Sequence, residues 1–339
     1  MLKRRLLLFI LIPAILVGCQ PGTSTPTPDA AATPTLDIYN LPTTPPQLPT
    51  AATGQVVLAA APDSIVAVEA LPGLTELANE RGWLASARAD LTPEQVTSDI
   101  RVVIFPTPPE NLESFVNAAP GTQFVVLDQN VQVQTGANLS VITLSREQQA
   151  FLAGVVAVMV APDWRAVGIL PAEPTPGDNL EAAFRNGGGY VCGTCVPFYA
   201  PYIKLPYPVR LAPGSEANLA ADLITQFQQS YLKLVYVSPE FTAPEFLQAF
   251  SDANFILVGA QTPPDSIRIR WAGSVRFDWV AGLKDIWPAV SSGQGAQATV
   301  APLMITDVNE AYLTPGRLAF IQQIYDTLQE GLIAVLPVE

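Results

Sequence analysis

Three cysteines and no histidine make up the reactive inventory of this 339-residue chain. Without an imidazole there is no histidine general acid–base catalysis, histidine metal ligation or histidine pH switch. Cys192 and Cys195 stand in a Cys-Gly-Thr-Cys run. In an exported chain such a pair reads as a local disulfide that closes a very short loop. The competing reading, a thioredoxin-like redox pair, needs its first cysteine where a helix begins after a strand. Here GGGYVCGTCVPFYAPY follows a helical stretch and runs into Pro197 and Pro201, so no helix starts. A structural zinc ion takes four ligands, and two cysteines do not supply them. Carboxylate pairs hydrolyse glycosides without histidine, but no such paired motif stands out. The run Gly187-Gly188-Gly189 is expected to end a helix, not to open one around a phosphate. The chain therefore reads as a binding protein and not an enzyme, with no cofactor and no metal.

The elements that must position a binding site alternate in type. VVLAAA (56–61), RVVIF (101–105), QFVVLD (123–128), RAVGIL (165–170), KLVYVS (233–238) and NFILVGA (254–260) are apolar runs bounded by turn signals. Such runs fit strands buried on both faces of a parallel sheet. Between them lie helices. Ser145 with Gln148 has the form of a capping box; Phe151, Leu152, Val155, Val156 and Met159 make a stripe behind it, and Pro162 stops the helix. A second helix starts at Ser215 with Leu219, Ile224, Phe227 and Tyr231 on one side. A last one starts at Thr314-Pro315, turns Leu318, Ile321, Tyr325 and Leu328 inward and ends at Gly331. The β-α alternation occurs once before about residue 162 and once after. This predicts an α/β protein of two lobes, each with a mainly parallel sheet, and a ligand cleft at the carboxyl ends of the strands that a hinge can close.

The N-terminal stretch bears on location. Lys3, Arg4 and Arg5 precede an apolar run, Leu6 to Val17, shorter than the roughly 20 residues of a spanning helix. This is the form of a secretory signal. Leu16-Val17-Gly18-Cys19 resembles the bacterial lipobox, which implies cleavage before Cys19 and diacylglycerol on its sulfur; the plainer alternative is a signal peptide with an incidental cysteine. Residues 21–53 hold 8 prolines and 9 threonines, with Asp29 and Asp37 the charged residues. That composition cannot bury enough apolar surface to offset chain entropy and reads as a semi-stiff, disordered tether. Loss of residues 1–18 removes Lys3, Arg4 and Arg5 and no carboxylate, moving the formal charge from −13 to −16. Such an acidic chain opposes nucleic acid and anionic lipid as partners. The expected location is the outer face of a bacterial cell membrane, with the bilayer reached through Cys19.

The run QFVVLDQNVQVQTGANLSVITLSREQQAFLAGVVAVMVAPDWRAVGIL (123–170) resembles the basic membrane lipoprotein family (BMP, PnrA-like), substrate-binding lipoproteins of ABC transporters related to a purine-nucleoside receptor. Asp128 matches the family's strand-ending acid, and Leu152-Ala153-Gly154 match its helix motif. NLEAAFRNGG (179–188) keeps the family's Phe-Arg pair as Phe184-Arg185, with Leu180 and Ala183 replacing its first Phe and its Gly. WAGSVRFDWVAGLKDIW resembles its late strand and helix more weakly. The resemblance implies a type I periplasmic-binding-protein-like fold. Lobe 1 would be 54–161 plus about 276–298, and lobe 2 would be 162–275 plus about 299–339. It implies no enzyme activity, a nucleoside-like solute and an ABC permease as partner. The sequence departs from the family at two places. APDSIVAV keeps Asp63 and Ser64 of the nucleoside loop but lacks its Phe and Asn, and Gln261 stands where a ribose-holding acid is expected.

A nucleoside site needs rings for stacking and acceptors for hydroxyls. The candidates are Asp63, Ser64, Asp128, Gln129, Asn130, Phe241, Gln261 and Trp271. Each has a structural alternative. Asp63 and Ser64 suit a helix cap, Asp128 a turn cap, Phe241 a cover for the sheet end, and Trp271 the core. Tyr190, Phe198, Tyr199, Tyr202 and Tyr207 crowd the cysteine loop, either roofing a pocket or packing a proline-rich flap. Two functions compete: solute capture for an importer, and a surface sensor of the same fold whose ligand has changed or been lost.

Overall fold

The computed structural model describes residues 54–129, 132–172 and 179–336. Cys19, the signal-like segment, the Pro/Thr-rich stretch and Asn130 lie outside the described residues. Ala51–Glu339 form one compact unit with cores of its own.

In chain order the strands are β1 (Gln55–Leu58), β2 (Leu84–Ala87), β3 (Ile100–Phe105), β4 (Gln123–Asp128), β5 (Leu139–Thr143) and β6 (Ala166–Pro171). Then come β7 (Tyr207–Leu211), β8 (Leu234–Val237), β9 (Ile256–Gly259), β10 (Trp271–Phe277), β11 (Ala298–Val300) and β12 (Leu303–Thr306). One sheet has the order β11-β5-β4-β3-β1-β2, the other β12-β10-β9-β8-β6-β7. Neighbours run parallel throughout, except that β12 is antiparallel to β10. Each apolar run named from sequence overlaps one of these strands.

Burial on both faces explains why those runs are continuous and not alternating. In β3, Val102 and Ile104 enter one core cluster while Val103 and Phe105 enter another. In β8, Leu234 and Tyr236 face one way and Val235 and Val237 the other. The period-2 geometry of a strand sends neighbours to opposite faces, and both faces are covered.

The covering helices are α1 (Ile65–Asn79), α2 (Leu112–Ala118), α3 (Arg146–Val160), α4 (Leu180–Cys192), α5 (Glu216–Gln229), α6 (Pro244–Asp252), α7 (Trp279–Ser291) and α8 (Pro315–Gln329). Two caps act as their residue types predict: Ser145 accepts from Gln148 N and Thr314 from Arg317 N. The Gln148 carboxamide does not complete the box; its oxygen accepts from Gln329 instead. Ser215 makes no side-chain cap, and Tyr231, expected on the inner face, is half exposed beyond the end of α5.

Helix α3 is buried nearly all round, because it lies between the second sheet and α4. It belongs by packing with β6, β8, β9 and β10. The passage from first sheet to second thus falls at Leu144–Ser145, one helix earlier than the boundary at 161 expected from sequence. Helix α4 runs straight through Gly187-Gly188-Gly189, which were expected to end it. Packing is the reason. A Cβ on Gly187 would lie 1.9 Å from the Phe151 carbonyl oxygen, and one on Gly154 would lie 2.1 Å from that of Phe184. The glycines let two backbones touch. The helix ends at Cys192, which is joined to Cys195 by a disulfide, Cα to Cα 5.1 Å.

Among the described residues the chain crosses between the lobes three times: at Leu144–Ser145, at Asp278 between β10 and α7, and at Ala301–Pro302 between β11 and β12. The crossings are bonded to one another or to the sheet. Ala301 N donates to Thr143 O at 2.9 Å, and Asp278 N to Pro302 O at 2.8 Å. Asp278 also caps α7, accepting from Ala281 N at 2.9 Å.

Candidate functional site

A cleft of about 340 Å³ opens between the two lobes. Its walls come from the ends of strands and the starts of helices. Helix α1 gives Val66, Glu69 and Gly73; the ends of β3 and β4 give Pro106, Leu127 and Gln129; α3 gives Arg146 and Gln149. The loops after β8 and β9 give Pro239 and Ala260, and the second crossing gives Arg276, Phe277, Asp278 and Trp279. All the contributing parallel strands present their carboxyl ends, where open α/β sheets bind ligands.

The polar groups in these walls are tied together. Arg276 donates to the Glu69 carboxylate across the cleft, Thr262 Oγ1 donates to Glu69 Oε1 at 2.9 Å, and Arg276 Nη1 donates to Thr262 Oγ1 at 3.0 Å. Burial lowers the Arg276 pKa, and Asp307 acts in the opposite direction. On the second lobe Arg146 pairs with Glu240, whose Oε2 accepts from Ser238 Oγ at 2.7 Å. Tyr236 stands close to that pair, and burial holds its phenol far above the ordinary range, so it stays neutral. Gln149 Nε2 donates to Val275 O at 2.9 Å. The cleft thus offers guanidinium, carboxylate and amide groups beside the Phe277 and Trp279 rings. That is a set suited to a small polar solute with an apolar face.

The structure sorts the residues named from sequence. Gln129 lines the cleft. Gln261 follows cleft-lining Ala260; its backbone oxygen accepts from Ser274 Oγ at 2.8 Å, and its side-chain Oε1 is buried with no hydrogen-bond partner among the described residues. Ser64 is the N-cap of α1, accepting from Ala67 N, and Asp63 is exposed beside it. Asp128 is buried, and its Oδ2 accepts from Gln132 N and Val133 N, each at 2.7 Å. Phe241 and Trp271 are core residues, both 0 % exposed. Phe241 packs against Phe246. Trp271 occupies the space that a Cβ on Gly259 would need, 2.2 Å away, and its Nε1 donates to Ser274 Oγ at 2.9 Å.

Glu69, Arg146, Arg276 and Trp279 were not singled out from sequence. One signal was available. Val66, Glu69, Ala70 and Gly73 are spaced i, i+3, i+4, i+7, one stripe of a helix, beside its buried face, with a charge and a glycine among the apolar residues. Among the described residues, no group of three or more histidines, cysteines or carboxylates is arranged to hold a metal. No helix among them is long and apolar enough to cross a membrane.

No protein-family model and no curated protein matches the chain. Solved structures do match in fold. An ABC transporter system solute-binding protein from Conexibacter woesei DSM 14684 aligns at a TM-score of 0.61 and 15 % identity, over 84 % of this chain and 98 % of that one. A transcriptional activator of the comK gene from Bacillus halodurans aligns at 0.62 and 13 %, over 84 % and 100 %. An ABC transporter system solute-binding protein from Aeropyrum pernix K1 aligns at 0.57 and 12 %, over 84 % and 94 %. The fold is the two-lobed α/β arrangement of type I periplasmic binding proteins.

Proposed function

We propose that this chain is the solute-binding lipoprotein of an ABC-type importer. It would be held at the outer face of the membrane by acylated Cys19 and would hand a small polar solute to a permease. The observation that carries the reading is the interlobe cleft, built from strand ends of both sheets around three chain crossings. Two of the solved structures that share the fold are described as ABC solute-binding proteins, and the lipobox-like Leu16-Val17-Gly18-Cys19 fits that setting. A nucleoside-like solute remains our reading of its class, from the resemblance of residues 123–170. Trp279 would stack on a flat ring, and Gln129, Gln261 and Glu69 would accept from hydroxyls.

The test is thermal unfolding of the Ala51–Glu339 unit with nucleosides, sugars and amino acids. A solute at a hundredfold excess over its dissociation constant adds about 2.7 kcal/mol of stability. A rise of the midpoint with one class, lost in Trp279→Ala, supports capture in this cleft. No rise with any class moves the sensor reading ahead. That second reading is favoured by the Glu69–Arg276–Thr262 contact, which spans the cleft with side chains of the protein itself. The structure described as a transcriptional activator shows that the fold is not confined to importers.

A further inference from the structure

We propose that the disulfide-closed flap between α4 and β7 docks on an anionic phospholipid bilayer. This rests on the envelope location proposed above and not on any solute. From Ala182 to Ser215 the chain carries Arg185, Lys204 and Arg210 and no carboxylate, in a protein with 30 acidic and 17 basic residues. Glu181, just outside, pairs with Arg185 and Arg210, and Lys204 is exposed. The same segment leaves apolar groups exposed: Phe198 is 78 % exposed, Tyr202 72 %, Val196 56 % and Tyr190 51 %, and Val196 and Tyr202 line one groove with Lys204.

These rings are held out, not frayed out. Arg165 is fully buried beneath the flap. Its guanidinium donates to the Tyr199 and Ser230 carbonyls, pairs with Asp163 at 3.1 Å and lies 4.1 Å from the centre of the Tyr199 ring. Asp163 Oδ1 accepts from Phe198 N at 3.0 Å, and the Trp164 ring packs against Phe198. The Cys192–Cys195 bond closes the other side. A loop so pinned loses little further freedom on binding. Between its two limbs runs a groove of about 530 Å³, bordered by Gly189, Thr194, Tyr202, Lys204 and Arg185. Aromatic rings with polar tips favour the headgroup level of a bilayer, and a lysine stem reaches from apolar surroundings to a phosphate. Rings that project singly enter a fluid interface without a matching pocket. The acidic remainder of the protein is repelled by an anionic membrane, so this flap segment, which carries three cations and no carboxylate of its own, is the part that would turn toward it.

The experiment is co-sedimentation of the Ala51–Glu339 unit, which lacks Cys19, with vesicles of mixed phosphatidylglycerol and phosphatidylcholine, against phosphatidylcholine alone. The expected result is binding to the mixed vesicles that fades with salt. Lys204→Glu should lower it about fivefold or more. Phe198→Ser combined with Tyr202→Ser should abolish it while the protein still unfolds cooperatively, and Tyr202→Ser alone should weaken it with no change in melting temperature. Absence of binding, equal binding to both vesicle types, or variants that bind like the parent would overturn the proposal. Retention by protein-bearing membranes but not by pure lipid would overturn it in favour of a membrane-protein partner. The solute-induced melting shift is read separately, so the two proposals fail independently.

Discussion

Glu69 of α1 and Arg276 of β10 join the opposite walls of the cleft, and Thr262 bonds to both. Their side chains keep 30 % and 19 % of their exposure, so the pair is only partly shielded from water. A pair of that kind is worth about 1 kcal/mol or less. Glu69→Ala should therefore leave the melting temperature nearly unchanged but let the lobes separate. Small-angle scattering of the unliganded protein should report a larger radius of gyration. An unchanged curve would mean that the three crossings alone set the lobe spacing.

Asp128 is expected to matter for folding more than its place at a strand end suggests. Its Oδ2 takes two backbone N–H groups from the segment that follows β4. Removing this charged acceptor from two partly buried donors costs about 1–3 kcal/mol. Asp128→Ala should lower the urea midpoint accordingly, and Asp128→Asn, which keeps one oxygen, should lower it less. Equal midpoints for Asp128→Ala and the parent would contradict this role.

The contact between α3 and α4 tolerates no side chain at its centre. Gly154→Ala and Gly187→Ala each drive a methyl group into a backbone carbonyl, which no rotamer change relieves. Overpacking of this kind costs about 3 kcal/mol. Gly189, where an added Cβ meets nothing within 4 Å, is the control. Gly189→Ala should be neutral or stabilising, since alanine favours a helix by about 1 kcal/mol over glycine. Calorimetric melting of the three variants gives the order directly.

Tyr325 closes the second lobe from α8. Its hydroxyl oxygen accepts from Leu303 N at 2.6 Å, just beyond the third crossing. Burial is the first cause that raises its pKa, so the group is a neutral phenol at physiological pH. Tyr325→Phe leaves the Leu303 amide without that acceptor. It should cost about 1–2 kcal/mol in urea unfolding and speed amide exchange at Leu303.

The fold was legible because strands buried on two faces write themselves as unbroken apolar runs. Ser145 and Thr314 announced two helix starts for an equally local reason. The glycine run misled, since its meaning lies in Phe151, a residue on another helix. The site was legible only in part. Gln129 and Gln261 sit at or beside the cleft, as strand-end position implies. Phe241 and Trp271 also follow or begin strands, yet they turn into the core, where the gap over Gly259 and the ring of Phe246 receive them. Glu69 and Arg276 meet only when two lobes close, a relation between residues 207 apart that no local pattern encodes.

The triple crossing also orders the chain's assembly in time. The first sheet takes its outer strand, β11, from the far end of the sequence, and the second takes β12 directly after it. A growing or translocating chain that has emerged only as far as α7 holds neither sheet complete. A single late stop codon would strip an edge strand from one lobe or both. Completion of the two sheets is thereby tied to the arrival of one short stretch, Ala298–Val300 and Leu303–Thr306, which supplies an edge strand to each lobe in turn.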